Sequence, residues 1–279
     1  MKYRKYKVKL AVCSLLLAVA GLSAYSQCPA VNDYFQAGET LEYDLYIKLG
    51  FLSTKGGTAR LKTVSATYEG TDAYKMTLTS SSKGAARAIF ELDDTLSCYT
   101  TKDLTPLAYF KDAHEGGDYT KERQKYAYSE NGQASVRSVR YKNGKLKFNE
   151  LLTFDGCAYD LMSVVFYART LDYGQMKKGK QTSIDFISGR NKLNAQIIYD
   201  GTEKIKANDG VKYNCIKLSL KISDDAFEDD KNAMKVYLTD DDNRMIVRMD
   251  SKLKVGSTKV ILKSYRGTLH PVGTKHQKE

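Results

Sequence analysis

The sequence predicts an all-β protein, an antiparallel meander with one main helix, over residues 157–172, covering or plugging it. Three observations lead there: apolar residues at every second position in segment after segment, tight-turn signals at short intervals, and one stretch where the apolar spacing turns helical.

The chain opens with Lys2, Arg4, Lys5, Lys7 and Lys9, followed by an apolar run from Leu10 to Gly21 broken only by Ser14. This pattern reads as a secretory signal peptide over residues 1–26, with Ala24 and Ser26 as the small residues before the cut and Gln27 as the mature N-terminus. The run is too short to cross a hydrocarbon core as a helix, so no transmembrane segment is expected. Cys28 raises a lipoprotein reading, but acylation calls for a small residue before the cysteine and Gln27 is long and polar.

Strand patterns follow. Leu41, Tyr43, Leu45, Ile47 and Leu49 alternate with polar or aromatic neighbours, and Tyr74, Met76 and Leu78 repeat the period. Ile216, Leu218, Leu220 and Ile222 do the same, which puts Cys215 on the opposite face; Met234, Val236 and Leu238, then Val260 and Leu262, continue it. Asn131-Gly132 and Asn143-Gly144 are hairpin signals, and Gly56-Gly57, Glu69-Gly70, Gly116-Gly117, Asp200-Gly201 and Asp209-Gly210 punctuate the rest. A meander of this length must curl toward a barrel or fold into two sheets to hide its apolar face.

Between Cys157 and Asp172 the rhythm changes. Leu161, Val164, Val165, Ala168 and Leu171 recur at helical spacing after Asp155, a candidate cap, and before Gly174. Met162, Phe166 and Tyr167 make the remaining side apolar, so the helix is expected to be buried on more than one side, with Leu161, Val165 and Phe166 as candidates to line a cavity. A shorter helical turn is expected over 85–90.

Four segments carry a family resemblance: Gly38-Glu39-Thr40-Leu41-Glu42-Tyr43, Leu104-Thr105-Pro106-Leu107, Tyr159-Asp160-Leu161-Met162-Ser163, and the run from Thr239 through Asp242-Asn243-Arg244 to Val255-Gly256-Ser257. Together they resemble the bacterial "domain of unknown function 3108" family over nearly all of the mature chain. The resemblance implies an exported protein of Gram-negative bacteria, placed in the periplasm or at the outer membrane. It also implies a highly curved β-meander forming a pseudo-barrel similar to the YmcC-like fold. It implies no activity and no site residues. A single domain over 27–266 and a polar tail over 267–279 complete the expected organisation.

Composition narrows the function classes. The 279 residues hold 44 basic and 33 acidic side chains; without the five basic residues of the leader the net charge falls from +11 to +6. Export makes nucleic acid an improbable partner and leaves anionic lipid, lipoprotein or acidic glycan. The charge is concentrated: Arg123, Lys125, Arg137, Arg140, Lys145 and Lys147 fall on consecutive expected hairpins and form a candidate anion-binding patch, the alternative being a solvated sheet face.

Catalytic signals are missing from the sequence. Its three histidines, His114, His270 and His276, stand apart in turn-like or tail contexts, and no GxSxG, HExxH or GxxxxGK[ST] pattern occurs. The acidic stretch Asp240-Asp241-Asp242-Asn243 lacks the glycine and terminal glutamate of a calcium loop, and Asp224 to Asp230 reads as a solvated connection. No cofactor or metal is expected. Four cysteines outside the leader allow three pairings in an oxidising compartment; the expectation is Cys157 with Cys215 and Cys28 with Cys98. The function expected from all this is a non-enzymatic binding or carrier protein for a lipid, lipoprotein or glycan, by fold-level analogy with exported lipoprotein chaperones. The alternative is a structural or interaction module of a cell-surface or capsule assembly.

Overall fold

The computed structural model describes residues 28, 30–49, 52–222, 234–252 and 257–273. The expected leader, the acidic loop 224–230, Val255-Gly256 and His276 lie outside the described residues.

Fifteen strands form one sheet. They are β1 (Thr40–Leu49), β2 (Leu52–Tyr68), β3 (Thr71–Ser82), β4 (Leu92–Thr100), β5 (Pro106–Glu115), β6 (Asp118–Tyr128), β7 (Ala134–Lys142), β8 (Lys145–Phe154), β9 (Ala158–Tyr159), β10 (Gln181–Ser188), β11 (Asn191–Lys206), β12 (Lys212–Ile222), β13 (Met234–Thr239), β14 (Ile246–Lys252) and β15 (Ser257–Arg266). The order runs from β8 down to β1, then from β15 down to β9. Two meanders are thus joined where β1 pairs with β15, Thr40 opposite Arg266 through Lys48 opposite Ser257. Among the described residues only β9 against β10 is parallel.

The local chemistry explains the hairpins. Asn143 and Gly144 both sit at positive φ, 50° and 76°, as a two-residue turn matched to strand twist requires. Asn143 also accepts the Tyr119 N–H through Oδ1 at 2.7 Å, tying the turn to β6. Asn131-Gly132 joins β6 to β7 as part of a longer loop. Alternation then delivers the core: Leu41, Tyr43 and Leu45 of β1 and Ile216, Leu218 and Leu220 of β12 are buried inside the curved sheet.

The sheet is nearly closed. Its two end strands, β8 and β9, are joined across the seam by side chains instead of a backbone ladder. Val136, Phe154, Ala158 and Ile187 form a small apolar cluster there. Ser138 Oγ donates to the Gly189 carbonyl at 2.7 Å, and Lys192 Nζ donates to the Thr153 carbonyl.

The described residues hold two α-helices, α1 (Gly84–Ile89) and α2 (Ser163–Thr170). The helix expected over 157–172 is therefore shorter, and its start is set by Asp160 instead of Asp155. The buried Asp160 Oδ1 accepts the N–H groups of Met162 and Ser163 at 2.8 and 2.9 Å. That turn begins the helix at Ser163, six residues late, after Ala158 and Tyr159 have been taken up as β9. Beyond Leu171, Tyr173–Gln175 forms a 3-10 turn.

The cysteine pairing also differs from expectation. Cys28 is bonded to Cys157, Cα atoms 5.3 Å apart, while Cys98 and Cys215 are unbridged and buried. Cys98 lies on the inner face of β4 between Met76 and Tyr109. Cys215 lies on β12, seven strands away in the sheet order. Curling carries the segment before β1 to the corner between β8 and β9, so partners 129 residues apart meet. Sequence spacing holds no trace of that meeting.

Candidate functional site

One end of the barrel is where β1, β3, β5, β12 and β14 finish. Beneath it lies a cavity of about 740 Å³. Its lining is almost wholly apolar, with Leu61, Leu78 and Leu96 on one side and Met249, Val260 and Leu45 on the other. Ile89 and Phe90, at the end of α1, and Leu161, before α2, line it while remaining exposed, at 60%, 43% and 37%. They mark where it opens to solvent.

Leu161, Met162, Val164 and Val165 present one side of the α2 region to this cavity. Phe166 does not line it, which corrects the expectation. Fully buried, it packs edge-on against Phe35, ring centroids 5.0 Å apart, on the other side of the helix. A turn of 100° per residue separates Val165 from Phe166, so one faces the hollow and the next the packed core.

The inner wall changes character across the sheet. One register row reads Leu61, Leu78, Leu96, Lys111, Glu122, Arg140, Phe148, from β2 to β8. Residues directly opposite share a face, so the apolar lining passes into a charged one between β4 and β5. There Lys111 pairs with Glu115 at 3.1 Å, and the Arg140 Nε donates to Glu122 Oε2 at 2.6 Å. Glu122 is buried and its other oxygen accepts from Gln124 Nε2 at 2.9 Å. Burial and the neighbouring Glu115 push the Asp94 carboxyl up to about 7.

This arrangement splits the expected basic patch. Arg123, Lys125 and Arg137 share the face opposite to Arg140, because Lys125 stands across from Arg137 while Glu122 stands across from Arg140. Arg123 is held by both carboxylate oxygens of Asp112 at 2.7 and 2.8 Å, and Lys125 by Glu69 at 2.7 Å. Arg137 reaches Asn149 at 3.4 Å. Lys145 and Lys147 are exposed on β8. The sequence places these residues on adjacent hairpins; the sheet separates them by face.

The remaining candidates have structural partners. Asp241 is buried, and its Oδ1 accepts the Asn243 and Arg244 N–H groups at 3.0 and 3.1 Å while Oδ2 accepts the Gly273 N–H at 2.8 Å. That segment is a turn clasping the stretch after β15, where the His270 N–H donates to Asn243 Oδ1 at 2.9 Å. His114 stacks on Tyr119, ring centroids 4.4 Å apart. No group of three metal-ligating side chains occurs among the described residues, and no helix there is long and apolar enough to cross a membrane.

Sequence reasoning missed most of the cavity wall. Leu61, Leu78, Leu96, Met249 and Val260 obey the same alternation as packed core residues, and nothing in the period tells a lined hollow from a filled one. The one available signal was Ile89-Phe90, an apolar pair in a polar turn.

A family model described as "Protein of unknown function (DUF3108)" matches residues 42–263. No curated protein matches the chain. Among solved structures, a β-barrel-like protein of the domain of unknown function DUF1849 from Brucella abortus superposes with a TM-score of 0.54 at 11% identity, covering 81% of this chain and 96% of that one. A Bacteroides fragilis protein described as exported, with a YmcC-like fold, gives a TM-score of 0.35 at 10% identity over 85% of this chain and 99% of its own.

Proposed function

Because the chain belongs to the DUF3108 family, whose description assigns no activity, we propose its function from the cavity itself: an exported, non-enzymatic carrier that shelters the apolar part of a lipid or lipoprotein in a Gram-negative envelope. The observation that carries this reading is the hollow of about 740 Å³ with an almost wholly apolar lining. Pockets of roughly 300–1,000 Å³ are the size that takes up small organic ligands. An apolar wall offers no hydrogen bonds to sugar hydroxyls, whose burial without partners is costly, so the occupant is lipid in preference to glycan. Export is supported by the leader pattern over residues 1–26 and by the Cys28–Cys157 bond, a type that persists in oxidising compartments.

The alternative, an interaction module with a filled core, would draw on a continuous basic face. Arg140 pointing inward, with Arg123 and Lys125 already paired outward, weighs against it.

Native mass spectrometry of protein purified from its own envelope tests the carrier. A co-purifying lipid is expected, and it should be lost from a Val165→Trp variant that fills the hollow yet keeps the parent circular dichroism. A ligand-free parent that also fails to take up a fluorescent apolar dye would sink the proposal.

A further inference from the structure

Adjoining the apolar cavity is a second hollow of about 560 Å³ with a polar, basic lining that includes Arg140, Lys142, Lys147 and Arg190. Glu115 lines both, so the two are neighbours on the inner side of the sheet. The register row from Leu96 to Lys111 to Arg140 marks the same boundary between greasy and charged wall.

The charges in the second hollow do not cancel. Lys111 is matched by Glu115, Arg140 by Glu122 and Lys142 by Asp118. Lys147 shares Asp118 with Lys142, its charge also holding that carboxyl down, and Arg190 is in no salt bridge among the described residues, so five cations meet three carboxylates. Arg190 is held beside the seam by a turn whose Gly189, at φ 60°, lies against the Arg140 guanidinium; a Cβ there would come within 2.8 Å of Nη2. The turn therefore favours glycine for its backbone, which also leaves room for that guanidinium. A net excess of two positive charges beside an apolar chamber is the complement of a molecule with an oily body and an anionic end.

We propose that this basic hollow receives the anionic head group, a phosphate or a carboxylate, of a single-chain amphiphile whose tail occupies the apolar cavity. The inference rests on the carrier reading and deepens it by naming the ligand's polar end. Lys147 and Arg190 supply the net charge, and Arg140, fixed by Glu122, supplies an oriented guanidinium in the same lining.

Displacement of a bound naphthylamine dye from the mature protein tests it, with dodecyl phosphate, dodecyl maltoside and inorganic phosphate as competitors, the two amphiphiles kept below their micellar concentrations. Dodecyl phosphate is expected to bind at least about tenfold more tightly than dodecyl maltoside at low salt, with the preference shrinking as ionic strength rises. In the Lys147→Gln, Arg190→Gln double variant the two should converge to within about twofold, with the maltoside's affinity unchanged. Both side chains are exposed, so the variant is expected to fold as the parent does. Equal affinity for the two amphiphiles in the parent would overturn the head-group site and leave the carrier standing, whereas failure of both to bind would remove the carrier too. If inorganic phosphate competed as well as dodecyl phosphate, the hollow would be a free-anion site and the inference would fall.

Discussion

Arg169 Nη1 lies 2.6 Å from Glu39 Oε1 and its Nη2 2.8 Å from Oε2, with both side chains sealed from solvent. Nη2 also donates to the carbonyls of Asn243 and Tyr34 at 2.8 and 3.3 Å, and the guanidinium lies 4.7 Å from the Phe35 ring centroid and 5.8 Å from that of Phe166. Arg244 continues the network, donating to the carbonyls of Arg169 and Leu171. Three of the segments that carry the family resemblance, around Glu39, Asp160 and Asn243-Arg244, thus bear on placing α2. They are architectural.

Glu39→Gln would leave a guanidinium buried and uncompensated. Its expected cost is about 3–5 kcal/mol of stability, read as a lowered urea midpoint. Glu39→Leu combined with Arg169→Met should recover much of the loss, since an apolar replacement removes the charge along with its partner.

The Cys28–Cys157 bond closes a loop with a sequence separation of 129. Chain entropy places its contribution at up to about 5 kcal/mol. Non-reducing peptide mapping should recover the two cysteines in one linked peptide. Cys28→Ser and Cys157→Ser should lower the melting temperature equally, while Cys98→Ala and Cys215→Ala leave the bridge intact. A Cys157–Cys215 peptide would contradict the structure.

Opposite sides of α2 should respond differently to truncation. Phe166→Ala empties a packed site and is expected to cost about 3–5 kcal/mol. Val165→Ala, facing an existing hollow, should cost under about 1.5 kcal/mol and change dye affinity instead. Equal losses of stability would mean that the hollow is filled in solution.

The contribution of Asp160 to stability should fall as pH rises through the acid range. Burial lifts the Asp160 carboxyl from 3.8 to about 6. The folded chain therefore keeps a proton that the unfolded chain has released; the stabilisation is full below about 4 and is lost as pH climbs through 6. Two pH units correspond to roughly 3 kcal/mol. Asp160→Asn should flatten the unfolding free energy between pH 4 and 6, as chemical denaturation across that window would show.

The basic residues should not behave as a group. Lys145→Gln and Lys147→Gln are expected to change stability by less than about 0.5 kcal/mol, being exposed. Arg140→Gln strips the buried Glu122 of its cation and should cost about 1–3 kcal/mol. Comparable midpoints for all three variants would place Arg140 outside the fold's interior network.

Period-two runs such as Leu41 to Leu49 and turns such as Asn143-Gly144 determined the strands and most hairpins by themselves, because alternation and positive φ are local properties of a few consecutive residues. The helical segment was legible for the same reason, though its first residue was not, since Ala158 and Tyr159 answer to β10 and Asp160 caps from a buried position. What only the tertiary structure decided are relations between distant residues: Cys28 meeting Cys157, Glu39 meeting Arg169, Arg140 turned from Arg137, and a hollow left beneath α1. Each depends on how far a twisted sheet curls before its ends meet. That curvature sums small backbone rotations over fifteen strands, and no short stretch of sequence contains it.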